Sequence, residues 1–312
     1  MTNLKHKSGK DILTVLLLLT VLFQAGCGPS GFRDPITKFQ SASSVVIAST
    51  RLYITELNKT ERDHYIQSQL SQKAQIKLNE IESVQVFSKD GLKARLDALN
   101  QIGSYGDLLL KLANSDAPEK VKAEAKSLAD EVKNLLSTVS GLTGNDDTAF
   151  KAAVGPVTSI VGVILDLVLQ QKIKNALDKA IKNGKDPVNN LIAVIRNDIS
   201  LAYERKRSSL SDMRTALVDE YNREMLKGSS ADSEKLKMLA ERISTHEDRW
   251  EAFASGNPGE GLDAMAKAHN ALVKYAESSH KVTDLASLVD AMEAFAARAV
   301  SIGKAVQALR GT

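Results

Sequence analysis

Apolar residues recur every three or four positions along most of this chain, the spacing of amphipathic helices rather than the two-residue alternation of half-buried strands. Val121, Ala125, Leu128, Val132, Leu135 and Val139 form one such seam after the start signal Ser115-Asp116-Ala117-Pro118. Leu285, Leu288, Met292, Phe295, Ala299, Ile302, Val306 and Leu309 fill a and d positions through about four heptads, which predicts a helix packed nearly parallel or antiparallel to its neighbours. Asp34-Pro35 reads as an N-cap followed by proline in the first turn. No strong breaker follows until Asp90-Gly91, so the pattern predicts a first helix of about 50 residues, on the order of 75 Å long. Further on, Asp186-Pro187 opens a helix from about 188 to 227, and Ser255-Gly256-Asn257-Pro258-Gly259-Glu260-Gly261 divides two shorter ones. The chain is therefore expected to be all-α, one elongated bundle of roughly six to eight helices over residues 34–312, some of them very long. No fixed-period repeat points to a solenoid.

Residues 152–169 depart from the amphipathic rule, being apolar around the whole circumference except at Thr158, Ser159 and Asp166. Such a segment must be hidden. As a central helix enclosed by the others, it would require a partner for the Asp166 carboxylate. As a segment that enters a bilayer, it only just reaches spanning length and is opposed by Asp166. A partner-binding surface is the third possibility.

At the N-terminus, Lys5, Lys7 and Lys10 precede the apolar run Ile12 to Phe23, and Ala25-Gly26 supplies small residues before Cys27. An ordinary secretory signal has this form too, while the run is short for a transmembrane anchor, which needs roughly 20 apolar residues. Gln24-Ala25-Gly26-Cys27 resembles the lipobox of bacterial lipoprotein precursors, with Gln24 standing where an aliphatic residue is usual. That resemblance implies diacylglycerol on the Cys27 thiol, removal of residues 1–26, a lipidated tether over 27–33, and a lipid bilayer as the first partner. Gly28 occupies the position where aspartate usually retains Gram-negative lipoproteins in the inner membrane, so the resemblance favours the outer membrane of the cell envelope.

Loss of Lys5, Lys7, Lys10 and Asp11 takes the formal charge from +3 to +1, which removes the support for a nucleic-acid partner. Cys27 is the sole cysteine, so neither a disulfide framework nor a thiolate metal site is expected. Arg205-Lys206-Arg207 reads as a solvated helix face, or else as a contact for headgroups or polyanions.

Two Glu-x-x-His motifs, Glu61 with His64 and Glu277 with His280, have the step by which ferritin-like bundles present carboxylate and imidazole on one helix face. Their polar and helix-end settings favour surface or interhelical pairs instead, and no cofactor is expected. His246, Trp250 and Phe253 share one stripe, as core residues or as a pocket for a ligand or partner. No nucleophile elbow, ordered triad or phosphate-binding glycine loop is present, so the chain is not expected to be an enzyme. The leading expectation is a noncatalytic, membrane-anchored envelope scaffold or docking protein. The polar stretches Asn58 to Gln75 and Glu204 to Ser209 are its candidate partner surfaces, and the heptad seams could close within one chain or in an oligomer. The alternatives are a dimetal-binding bundle and a membrane-active bundle using 152–169. The second is similar in organisation to α-helical pore-forming toxins, through its long helices and single concealed apolar segment.

Overall fold

The computed structural model describes residues 32–114, 118–142, 148–154 and 173–311, and among them every regular element is helical. Helix α1 spans Arg33–Gln72 and buries Ile36, Phe39, Val46, Ile54 and Leu57 along one stripe. It is shorter than the pattern predicts. Lys73 ends it in the left-handed region at φ 53°, with the Lys73 and Ala74 amides bonded back to Leu70 and Gln69. This is the geometry usually taken by glycine at a helix C-terminus, here adopted by lysine.

Long-range side chains hold the return segment. The Tyr65 hydroxyl accepts from the Lys77 amide at 3.2 Å and donates to Glu80 at 2.6 Å, which docks the short helix α2 (Leu78–Ser83). Asn58 then grips the Phe87 backbone twice, donating to its carbonyl at 2.7 Å and accepting from its amide at 3.0 Å. The expected break at Asp90-Gly91 lies inside the first turn of α3 (Lys89–Ala113), because Ser88 caps that helix by accepting from the Gly91 amide at 3.0 Å.

Helix α3 returns antiparallel along α1, linked by Gln40 donating to Asp107 at 2.7 Å. Helix α4 (Pro118–Ser140) packs on α3 through its predicted seam, all six of whose residues are buried. Helix α5 (Thr148–Val154) follows and buries Phe150. It includes the first three residues of the 152–169 segment. Residues 155–169, with Asp166, lie outside the described residues.

Helix α6 (Ile173–Met225) is 53 residues long and carries Pro187 in its interior, not at its start. An internal proline costs about 3 kcal/mol. Burial of Leu177 and Ile181 in the preceding turns stabilises by roughly 1.5–3 kcal/mol each and so carries the helix through the proline. A 3₁₀ turn, Gly228–Ser230, leads to α7 (Ser233–Ser255), which Asp232 caps. Asn257 caps α8 (Pro258–Glu277), and α9 (Val282–Gly311) completes the bundle.

Helix α9 lies against α1, α7 and α8, burying Leu288, Met292, Phe295, Ala299, Ile302 and Val306 of its predicted heptads. It crosses the α7–α8 junction so closely that a Cβ on Gly256 would stand 2.3 Å from that of Ala305. The fold is thus an all-α bundle with very long helices. Among those described, α1 holds a central place, packed on α3, α8 and α9.

Candidate functional site

Two groups of polar residues interrupt the apolar interior. The first centres on His269, which shares a face of α8 with Leu262, Met265 and Leu272 and is fully buried. Its Nδ1 lies 3.2 Å from Oδ1 of Asn189 on α6, and its Nε2 lies 3.0 Å from the hydroxyl of Tyr105 on α3. The Asn189 amide nitrogen donates to Asn270 at 2.7 Å, which turns its oxygen toward the imidazole. That oxygen assigns the proton to Nδ1, so Nε2 accepts from Tyr105. Burial holds His269 neutral, pushing its pKa down to about 4, and raises that of Tyr105.

Gly184 makes room for the tyrosine: a Cβ there would lie 2.5 Å from the hydroxyl. The network ties α3, α6 and α8 into one register. Nearby, Arg95 is buried among Phe87, Phe150 and the Asp198 carboxylate, 2.6 Å from its Nε, and joins α3 to α6 a second time.

The second group lies along the hairpin of α6 and α7. Tyr203 and Phe253 stack at 4.5 Å, Arg214 donates to Glu247 at 2.5 Å, Lys235 pairs with Glu220 at 3.3 Å, and the Asp232 amide donates to Glu224 at 3.1 Å. These pairs define an antiparallel register. The buried residues Leu210, Leu217 and Glu224 on α6, and Leu239, His246 and Phe253 on α7, recur at seven-residue steps, the spacing of an antiparallel helix seam. Its signal is visible on α7, where Leu236, Leu239, Ile243, His246, Trp250 and Phe253 alternate steps of three and four. Sequence reasoning missed it because Glu224 and His246 occupy seam positions.

At the base of this hairpin, neither ring nitrogen of the buried His246 has a hydrogen-bond partner among the described residues. Burial, and secondarily Arg249, depress its pKa, with Lys206 acting in the same sense and Glu247 against it. Lys206 is held below its ordinary value by burial, against the pull of Glu61 and Glu56 on α1. The charge of Glu61, in one of the polar stretches singled out in the sequence, thus acts on Lys206 in the other. Lys206 is half-buried between helices, so only its neighbours Arg205 and Arg207 belong to a solvated face, Arg207 pairing with Glu204 at 3.3 Å. His246 and Phe253 are core residues, while the half-buried Trp250 lies 5.9 Å below the Arg214 guanidinium. At the hairpin tip, a bond from Lys227 at 2.8 Å and the Asp232 amide draw the pKa of the buried Glu224 down to about 2, aided by Lys235.

The Glu-x-x-His motifs do not converge. Helix α8 ends at Glu277, and His280 follows in a turn at φ 55°, so that pair does not share a helix face. The His280 ring stacks on Tyr275 at 4.8 Å and meets Phe32 edge-on at 5.8 Å. Glu61 lies roughly 29 residues along α1 from Phe32, on the order of 43 Å away. The side chain of His64 is outside the described residues, as is Cys27. Among the described residues no group of three or more His, Cys, Asp or Glu is placed to hold a metal ion, and no helix is long and apolar enough to cross a membrane. No protein-family model matches the chain, and comparison with curated proteins and with solved structures finds no match.

Proposed function

We propose that this chain is a noncatalytic bacterial envelope lipoprotein, held to a bilayer through lipid on Cys27, whose helical bundle is a docking scaffold. The anchor rests on the Gln24-Ala25-Gly26-Cys27 resemblance, and Gly28 favours the outer membrane. The observation that carries the scaffold reading is that two buried polar clusters join helices. Tyr105, His269, Asn189, Arg95 and Asp198 bind one another across helices and set helix register. The scaffold reading assigns function to the outer helical faces and helix ends.

Palmitate labelling and membrane fractionation of the wild-type chain and Cys27→Ser test the anchor. Labelled, membrane-associated wild type beside an unlabelled, released variant is expected; equal release of both overturns it. Affinity capture of the lipidated protein from its own envelope then identifies what it docks.

A further inference from the structure

Of the residues buried along the α6–α7 seam, Glu224 at the tip and His246 near the base titrate. They are held differently. The Glu224 carboxylate accepts from Lys227 at 2.8 Å and from the Asp232 amide at 3.1 Å. His246 is only 4% exposed, yet neither ring nitrogen has a hydrogen-bond partner among the described residues. A buried imidazole without partners is unfavourable when neutral, and far more so when charged.

The charges that act on this ring come from α7, from α6 and, through Lys206, from α1. Arg249 on α7 and Lys206 on α6 oppose an imidazolium, while Glu247 and the residue's own backbone favour it. Glu247 is already engaged by Arg214 at 2.5 Å. On α1, Glu61 and Glu56 favour the Lys206 ammonium and Lys59 opposes it; burial nevertheless keeps Lys206 below its ordinary value. The carboxylates of this junction thus leave one cation incompletely compensated, and an imidazolium would add a second.

Packing here is also thin. Helix α7 packs chiefly on α6 and α9. Asn189 pairs with Asn270 and Arg196 with Asp263, so α6 runs opposite to α8; Glu260 pairs with Arg298 while Tyr275 feels Asp284, so α9 does too. Helix α7, antiparallel to α6, therefore runs opposite to α9. Beyond the crossing at Gly256 and Ala305, α9 continues for about 9 Å to Gly311, whereas His246 lies about 15 Å along α7. His246 is out of reach of α9. Directly below it, Phe253 gathers Tyr203 at 4.5 Å, Tyr53 at 6.3 Å and Trp250 at 6.4 Å.

We infer that the α6–α7 hairpin is a proton-operated joint: an imidazolium at His246 parts α7 from α6 at the base of the hairpin and uncovers the adjoining aromatic cluster. The open form binds the proton at the ordinary imidazole value of 6.5 and the closed form binds it less readily. Closure is therefore complete above that value and weakens as pH falls below it. The Glu224 carboxylate stays charged through this window and keeps the tip latched.

Trp250 is the sole tryptophan and lies one turn from His246, so it reports the joint in the full chain. Acrylamide quenching of Trp250 and hydrogen exchange over residues 236–253 are compared at about pH 7.5 and about pH 5 in wild type, His246→Leu, His246→Gln and His269→Gln. Relative to His246→Leu at the same pH, wild-type exchange is expected to rise at least about threefold on acidification. The ceiling is about thirtyfold, set by an imidazole of ordinary affinity in the open form. Quenching of Trp250 rises with it, His269→Gln keeps both responses, and amides 262–276 of α8 keep their protection. Two His246 variants guard against one that does not fold, and NMR titration of the wild-type His246 imidazole, with a midpoint expected below 6.5, needs neither. A smaller rise or none, a response retained in the folded His246 variants, or a His246 midpoint at or above 6.5 overturns the inference. So does equal loss of protection in α8, which would make the response general acid unfolding.

Discussion

The Tyr105 hydroxyl lies 3.0 Å from Nε2 of His269, although the two residues are 164 positions apart in the chain. Helices α3 and α8 thereby share a buried hydrogen bond, which Asn189 extends to α6. Tyr105→Phe keeps the ring but leaves the imidazole nitrogen buried without its donor, at a cost of about 1–3 kcal/mol. A lower midpoint of chemical unfolding, with no loss of helix content in the native state, is the expected result.

His269 also sets a pH dependence. Its folded pKa of about 4 lies below the ordinary 6.5 because burial disfavours the imidazolium. The unfolded chain therefore binds the extra proton first, and stability falls as pH drops from about 6.5 toward about 4, by roughly 3 kcal/mol in total. His269→Gln cannot titrate. The unfolding free energies of wild type and this variant, measured against pH, should run parallel above neutrality and converge in that window. Parallel curves throughout would remove His269 as the source.

Glu224 weakens the fold on acidification as well, but in a lower pH window and because its charged form is favoured. Lys227 and the Asp232 amide favour its carboxylate, so its contribution is present above the ordinary carboxylate range and is lost as pH falls toward about 2. Glu224→Gln weakens the latch that closes α6 onto α7. Hydrogen exchange is expected to accelerate over residues 215–240, while amides of the α3 core around Leu108 keep their protection.

Gly256→Ala probes the crossing of α9 over the α7–α8 junction. The new methyl would meet Ala305 Cβ at 2.3 Å, part of a helix and unable to swing aside as a flexible side chain would. A destabilisation of about 1–3 kcal/mol follows, read as a lower Tm. The double variant Gly256→Ala with Ala305→Gly should recover part of it.

The seams of α4 and α9 were legible because Val121 to Val139 and Leu288 to Val306 are apolar at almost every inward position. The end of α1 was not, since Lys73 adopts a glycine-like conformation and the segment beyond it is held by Tyr65 and Asn58 from within the preceding helix. Pro187 was misread for a related reason: burial of Leu177 and Ile181 overrides a local breaker rule. The α6–α7 seam was obscured by Glu224 and His246 at seam positions, whose polarity has meaning only once Lys227, Lys206 and Arg249 are placed around them. The pairing of Tyr105 with His269 leaves no local trace; only the position of His269 on the apolar face of α8 hinted that it was buried.

Mass spectrometry of the N-terminal peptide of the protein purified from bacterial membranes bears most directly on the proposed anchor. A peptide beginning at Cys27 and carrying diacylglycerol on the thiol is predicted. A peptide that retains residues 1–26, or one that begins near Cys27 with an unmodified thiol, would contradict it.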